Sequence, residues 1–135
     1  MTGRVIWAVD GDTIHVTIGR RLEKVRYIGV NAPEIPHAER GWREGGTRAL
    51  EVNRRLVIGR VACLELDVRR RDRYGRLLAY VWVGPARRRV MANAEMVRRG
   101  FAQVMTIPPN LTYQRRFLAL QREARTAGRG LWGRH

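Results

Sequence analysis

One cysteine, one lysine and no long apolar run set the first limits on this chain. The single Cys63 excludes an intramolecular disulfide, and its place in a strand-like run suits a small core residue better than redox chemistry. The longest apolar runs are far too short to span a bilayer, so no membrane partner is expected. The three histidines, His15, His37 and His135, stand far apart and form no metal-ligand spacing. Trp7, Trp42, Trp82 and Trp132 are scattered and read as core or rim residues, not as a cage for a modified cation. Acidic residues are also scarce.

Twelve Asp and Glu face 27 basic residues, a formal charge of +15, and every basic side chain except Lys24 is arginine. A field of that sign and size favours a polyanionic partner, most often nucleic acid, and makes binding depend steeply on salt. Arginine also pairs bidentately with phosphate. Genome base composition can enrich arginine as well, but the electrostatic consequence is the same. With 135 residues, 44% hydrophobic and 29% charged, the chain can bury a core without disulfide or metal staples, and one domain over residues 1–135 is expected. The sequence runs from Met1 directly into Arg4-Val5-Ile6-Trp7 without a basic segment, apolar stretch and cleavage site. A cytoplasmic chain follows as an expectation, unless a leader has been trimmed.

Thr13 to Ile18 alternates, with Ile14, Val16 and Ile18 on one face and Thr13, His15 and Thr17 on the other, before a turn at Gly19 and Arg20. The return strand, Leu22 to Val30, puts Val25 and Tyr27 on one face and Lys24, Arg26 and Ile28 on the other. Ala49, Val52 and Leu56 recur at helical spacing up to Gly59, and Val61 to Val68 alternates again as a strand. An arginine-rich turn, 69–76, leads into the apolar run Leu77 to Val83. Asn93 is positioned to cap a short helix ending at Gly100, and Thr112 to cap a last one ending at Gly128, with Tyr113, Phe117, Leu120, Ala124 and Ala127 as its apolar stripe. Strands with interspersed helices suggest a small barrel with attached helices.

Three short motifs carry the chemistry. Asp10-Gly11-Asp12-Thr13 sets two carboxylates around a glycine, a source of oxygen ligands for calcium or else a solvated Asp-Gly turn. In Arg26-Tyr27-Ile28-Gly29-Val30-Asn31-Ala32-Pro33-Glu34, Pro33 holds Ala32 extended, which could aim its carbonyl and the Asn31 side chain at one point. Glu34, just past the turn, could polarise water or could be an ordinary surface glutamate. Arg71-Asp72-Arg73-Tyr74-Gly75-Arg76 interleaves arginines with a tyrosine, which suits phosphate contact and stacking as well as a solvated hairpin tip.

Together and in this order, the motifs resemble the staphylococcal nuclease (thermonuclease-like) family, with its Asp-Gly-Asp-Thr, Arg-…-Asp-x-Pro-Glu and Asp-x-Tyr-Gly-Arg-x-Leu-Ala-Tyr. The resemblance covers nearly the whole chain and extends to Asn93-Ala94-Glu95-Met96-Val97-Arg98-Arg99-Gly100 and to Gly130-Leu131-Trp132. It implies an α+β fold, a five-stranded OB-fold β-barrel with three helices and an active site at the barrel edge. It further implies a calcium-dependent nuclease for DNA or RNA, single-stranded or locally open, acting as a monomer without a protein partner. By the same carry-over Asp12, Asn31 and Ala32 supply calcium ligands, with Asp10 behind them. Glu34 is the general base, Arg26 and Arg76 grip the phosphate, and Arg73 and Tyr74 hold the nucleotide.

Two positions depart from that pattern. Residue 31 is Asn where the family has Asp, which removes one negative charge from the metal site. Val104-Met105-Thr106-Ile107-Pro108-Pro109 stands where the family has pocket tyrosines, which predicts poorer base stacking there. The alternative reading is an OB-fold module that binds nucleic acid without cutting it. It is disfavoured because Glu34, Arg26 and Arg76 are all present.

Overall fold

A computed structural model describes residues 1–33 and 40–133. The alternating segment forms a hairpin: β2 (Thr13–Ile18) pairs antiparallel with β3 (Arg21–Tyr27), Thr13 opposite Arg26 and Ile18 opposite Arg21. Gly19, at φ 62°, turns the chain between them without the steric cost a side chain would bring. Ahead of it, β1 (Thr2–Ala8) pairs with β2 through a bulge between Val5 and Trp7 and on its other edge with β5 (Val61–Glu65). The interrupted alternation of β1 is the reason the sequence pattern did not mark it as a strand. β6 (Leu77–Val83) pairs antiparallel with β5 and parallel with β3, Val25 opposite Leu77 and Tyr27 opposite Ala79. That last ladder closes β1, β2, β3, β5 and β6 into the expected five-stranded barrel.

Short pairs finish the frame: β4 (Val30–Asn31) with β8 (Gln103–Val104), and β7 (Val90–Met91) with β6. Three helices pack on it, α1 (Arg40–Val57), α2 (Ala92–Arg98) and α3 (Gln114–Ala127), followed by a 3-10 turn at Gly130–Trp132. Val5, Ile14, Val16, Val25, Tyr27 and Val81 fill the barrel, while Met96 and Phe117 join the helices to it. Among the described residues no helix is long and apolar enough to cross a membrane.

Several local expectations are corrected. The return strand stops at Tyr27, because Gly29 at φ 80° breaks the ladder, and Ile28 is buried. β5 stops at Glu65, and Val68 is 71% exposed. Cys63 is only half-buried, on β5. Ala127 is exposed, so the α3 stripe is shorter than its pattern.

Neither expected cap is one. Asn93 is fully buried inside α2, where its carboxamide accepts the Val81 N–H (2.9 Å) and donates to the Ile28 and Ala79 carbonyls (3.0 and 3.1 Å). The Thr112 hydroxyl donates to Asp67 Oδ2 at 2.9 Å, and α3 starts after Tyr113. Both polar side chains found stronger partners in the sheet or a neighbouring loop than a helix end offers. His37 and His135 lie outside the described residues.

Candidate functional site

The Asp10–Thr13 turn is fixed from three sides. The Asp12 N–H donates to Asp10 Oδ1 at 2.9 Å, the Asx-type bond that short carboxylates favour at turns. The Asp12 carbonyl accepts the Tyr27 N–H at 2.8 Å, tying the turn to β3. From α1, buried Asn53 donates to the Asp10 carbonyl at 2.9 Å while accepting the Tyr27 hydroxyl at 2.5 Å. Gly11 has to be glycine here, since a Cβ would lie 2.6 Å from that of Ala32 and 2.8 Å from that of Ala49.

Asp12 is 4% exposed, and both of its oxygens are engaged: Oδ1 accepts the Thr13 hydroxyl at 2.9 Å and Oδ2 the Ala32 N–H at 2.8 Å. Burial, together with the neighbouring Asp12 carboxylate, pushes the Asp10 carboxyl up to about 7.

Arg26 stands beside this turn, its Nη2 3.4 Å from Asp12 Oδ2, on a side chain only 12% exposed. Its Nη1 donates to the Tyr27 and Val30 carbonyls (2.7 and 2.8 Å), and its Nη2 donates to Asn31 Oδ1 at 3.3 Å. The polar residue inside the strand pattern therefore closes the β3–β4 turn as well as facing the carboxylates. Ala32 is buried and contributes its N–H to Asp12. Glu34 lies outside the described residues.

The 69–76 loop is built around Asp72. Its Oδ1 accepts the N–H groups of Tyr74 and Arg76 (2.9 and 3.0 Å), and its Oδ2 accepts Arg76 Nε at 2.7 Å. Those bonds outweigh burial and hold the Asp72 carboxyl below the usual range. Gly75 takes φ 81° at the tip. Tyr74 is exposed, and its hydroxyl accepts Arg73 Nη2 at 2.6 Å. The base of the loop is bolted to the barrel by Arg71, which donates twice to the Glu23 carboxylate. Asn110 adds a second bolt, accepting the Arg69 N–H and donating to the Arg69 carbonyl, each at 2.8 Å.

Asp10, Asp12, Arg26, Asn31, Arg73, Tyr74 and Arg76 line one cleft of about 450 Å³. Ala32 is buried and does not line it, touching the site through its N–H to Asp12. Three stretches far apart in sequence thus meet, as the motifs implied. Asp72, not singled out from the sequence, also lines the cleft, and its Asp-x-x-Gly spacing is a turn signal, while Met105 and Ile107, from the stretch that stands in place of pocket tyrosines, add an apolar surface. Asn53 and Glu23 carry no sequence signal of their own, since their partners lie on distant strands.

A calcium ion requires oxygen donors, and Asp10, Asp12 and Asn31 Oδ1 provide an oxygen-only set at one end of the cleft. The raised Asp10 carboxyl marks two acids crowded in a buried place, an arrangement that a divalent cation relieves. Among the described residues no group of three or more His, Cys, Asp and Glu gathers, in the cleft or outside it, so the oxygen set here is two carboxylates and one carboxamide.

Residues 24–134 match the family model described as staphylococcal nuclease homologue. The chain is 34% identical over 131 residues to a thermonuclease of Staphylococcus hyicus, covering 97% of this chain and 75% of that one. It is 32% identical over 126 residues to a thermonuclease of Staphylococcus intermedius, covering 93% and 73%. An uncharacterized endonuclease of Escherichia coli is 34% identical over 133 residues, covering 96% and 76%.

Proposed function

Since this chain belongs to the staphylococcal nuclease family, we propose that it is a calcium-dependent nuclease that hydrolyses phosphodiester bonds of DNA or RNA in the cleft between the Asp10–Thr13 turn and the 69–76 loop. The observation that carries this reading is the meeting of carboxylates and guanidiniums in one cleft: Asp10 and Asp12 from the turn before β2, Arg26 from β3, and Arg73 and Arg76 from the 69–76 loop all line it.

In-line attack of water on a phosphodiester builds negative charge on the phosphoryl oxygens. Fixed guanidiniums answer that charge without reorganising during the reaction. Asp72 holds Arg76 by Nε, and among the described residues its terminal nitrogens have no hydrogen-bond partner, so they are available to phosphate oxygens. Arg26 has both terminal nitrogens engaged by the turn, so its contact with substrate runs through Nε or by exchange with Asn31. Arg73 and Tyr74 supply a cation and an exposed ring beside them, suited to the sugar and base next to the bond. Glu34 would accept one proton of the attacking water as its oxygen bonds to phosphorus; the ester P–O bond in line with the new one breaks, and the leaving oxygen takes up a proton from solvent.

Asp12, Asn31 and the Ala32 carbonyl, with Asp10 behind them, would hold a calcium ion, which would supply Lewis-acid stabilisation of the phosphoryl charge. A general base contributes ~10²–10⁴-fold, so the arginines and the cation carry much of the remaining rate. The test is cleavage of single-stranded DNA and RNA with calcium or with chelator. Calcium-dependent fragments support the reading, whereas binding without cutting at any calcium level assigns the chain to nucleic-acid binding alone.

A further inference from the structure

Outside the cleft, the outward face of β1, β2 and β3 carries a row that the proposed reaction does not use. Trp7 on β1 lies opposite His15 on β2, and His15 lies opposite Lys24 on β3. Opposed residues on antiparallel strands share a face and sit within side-chain reach of each other. Burial and then the Lys24 ammonium lower the His15 pKa, as expected for two side chains standing side by side. Trp7 is 61% exposed, an unusual cost for the largest apolar side chain, and Ile6 and Val9 on either side are exposed too.

The row is continuous with the cleft. Lys24 is two residues before Arg26 on the same face of β3, about 7 Å along the strand, and Trp7 is two strands away, about 10 Å. The acid of β3, Glu23, turns to the opposite face, its side chain 8% exposed. The positions His15, Thr17, Leu22 and Lys24 include no carboxylate, and the acid met at the cleft end, Asp12, is buried and paired with Arg26.

We propose that this face is a single-strand track holding nucleotides that flank the bond in the cleft, with Trp7 as a base-stacking platform and Lys24 as a phosphate contact. An exposed ring beside isolated cations is the combination by which unpaired nucleic acid is held without sequence preference. A duplex, with its bases already stacked, gains little from the ring. The inference rests on the nuclease reading for its polarity toward the cleft, but it is tested separately.

The experiment is fluorescence anisotropy in chelator with a labelled 12-nucleotide single strand, the matching duplex and a dinucleotide, on the full chain and on W7A, W7F and K24A. W7A is expected to weaken the single strand by roughly 5- to 100-fold, with W7F restoring most of the loss and the duplex and dinucleotide unchanged. K24A is expected to make the log–log salt dependence shallower by about 0.7. Single-strand affinity within twofold in W7A, an equal loss for duplex, or no binding by the parent overturns the track. A parent that binds through Trp7 but cuts nothing in calcium retires the nuclease reading and keeps the track. A parent that cuts, with W7A binding as the parent does, retires the track alone.

Discussion

Glu23 and Arg71, 48 residues apart, meet in a bidentate pair with both Arg71 terminal nitrogens 3.0 Å from the carboxylate oxygens. That pair fastens the 69–76 loop to β3, and the same Arg71 Nη1 donates to the Gly75 carbonyl at 3.0 Å, bracing the tip from beneath. Hydrogen bonding by Arg71 holds the Glu23 carboxyl below its usual value of 4.5. A lowered folded-state pKa contributes stability that is present above the unfolded value and is lost as pH falls through the folded one. Acid titration of thermal unfolding is therefore expected to cost the parent more than Glu23→Gln as pH drops below about 4.5. Equal acid sensitivity of the two would show that the pair does not hold in solution.

Asn93 gives a sharper stability test. Its carboxamide serves three backbone groups in the interior, so Asn93→Ala leaves two carbonyls and one N–H without that partner. Each unmet buried group costs ~1–3 kcal/mol, and partial relaxation trims the sum. Urea unfolding of Asn93→Ala is expected to show a loss of about 2–4 kcal/mol. A loss below about 0.5 kcal/mol would fit an exposed cap residue instead.

The sequence carried the barrel and the site to different depths. Alternation in β2, β3 and β5 was legible because one face of each strand is core and the other is more exposed, and β6 was legible as a continuous apolar run because it is buried along most of its length. β1 was not legible, since its bulge interrupts the period between Val5 and Trp7. Asn93 and Thr112 were misread as caps, because local rules rank a polar residue near a helix start by its nearest backbone. Partners across the fold, Ala79, Val81 and Asp67, leave no local trace. The cleft residues were legible as motifs, whereas the residues that aim them, Asn53, Asp72 and Glu23, emerge only from tertiary hydrogen bonds.

The two arginines predict a split. Arg26 anchors the Tyr27 and Val30 carbonyls from a side chain 12% exposed, so Arg26→Ala is expected to lower both activity and melting temperature. Arg76 is 31% exposed, and its Nε pair with Asp72 is worth at most ~1 kcal/mol in that setting. Arg76→Ala is expected to lower the cleavage rate by ~10²–10³-fold, as for loss of one donor to a developing anion, with little change in melting temperature. Calorimetry beside a cleavage assay checks both; equal destabilisation would remove the distinction.

Asn31 tests the cation site. One unit-charge attraction at 4 Å is worth about 4 kcal/mol at an effective dielectric of 20, before desolvation is subtracted. Asn31→Asp is expected to tighten calcium binding, measured by isothermal titration calorimetry, by less than that figure. Arg26 already donates to Asn31 Oδ1 and would compete for the new charge. Unchanged affinity would place residue 31 outside the cation's reach.

The central claim is hydrolysis in the cleft, and the most direct measurement is the single-turnover rate of single-stranded DNA cleavage in saturating calcium for the parent and Glu34→Gln. Calcium-dependent cleavage by the parent is expected, with a loss of ~10²–10⁴-fold in the variant, as for removal of a general base. Cleavage by Glu34→Gln at the parent's rate, or a parent that holds the strand without cutting it, would contradict it.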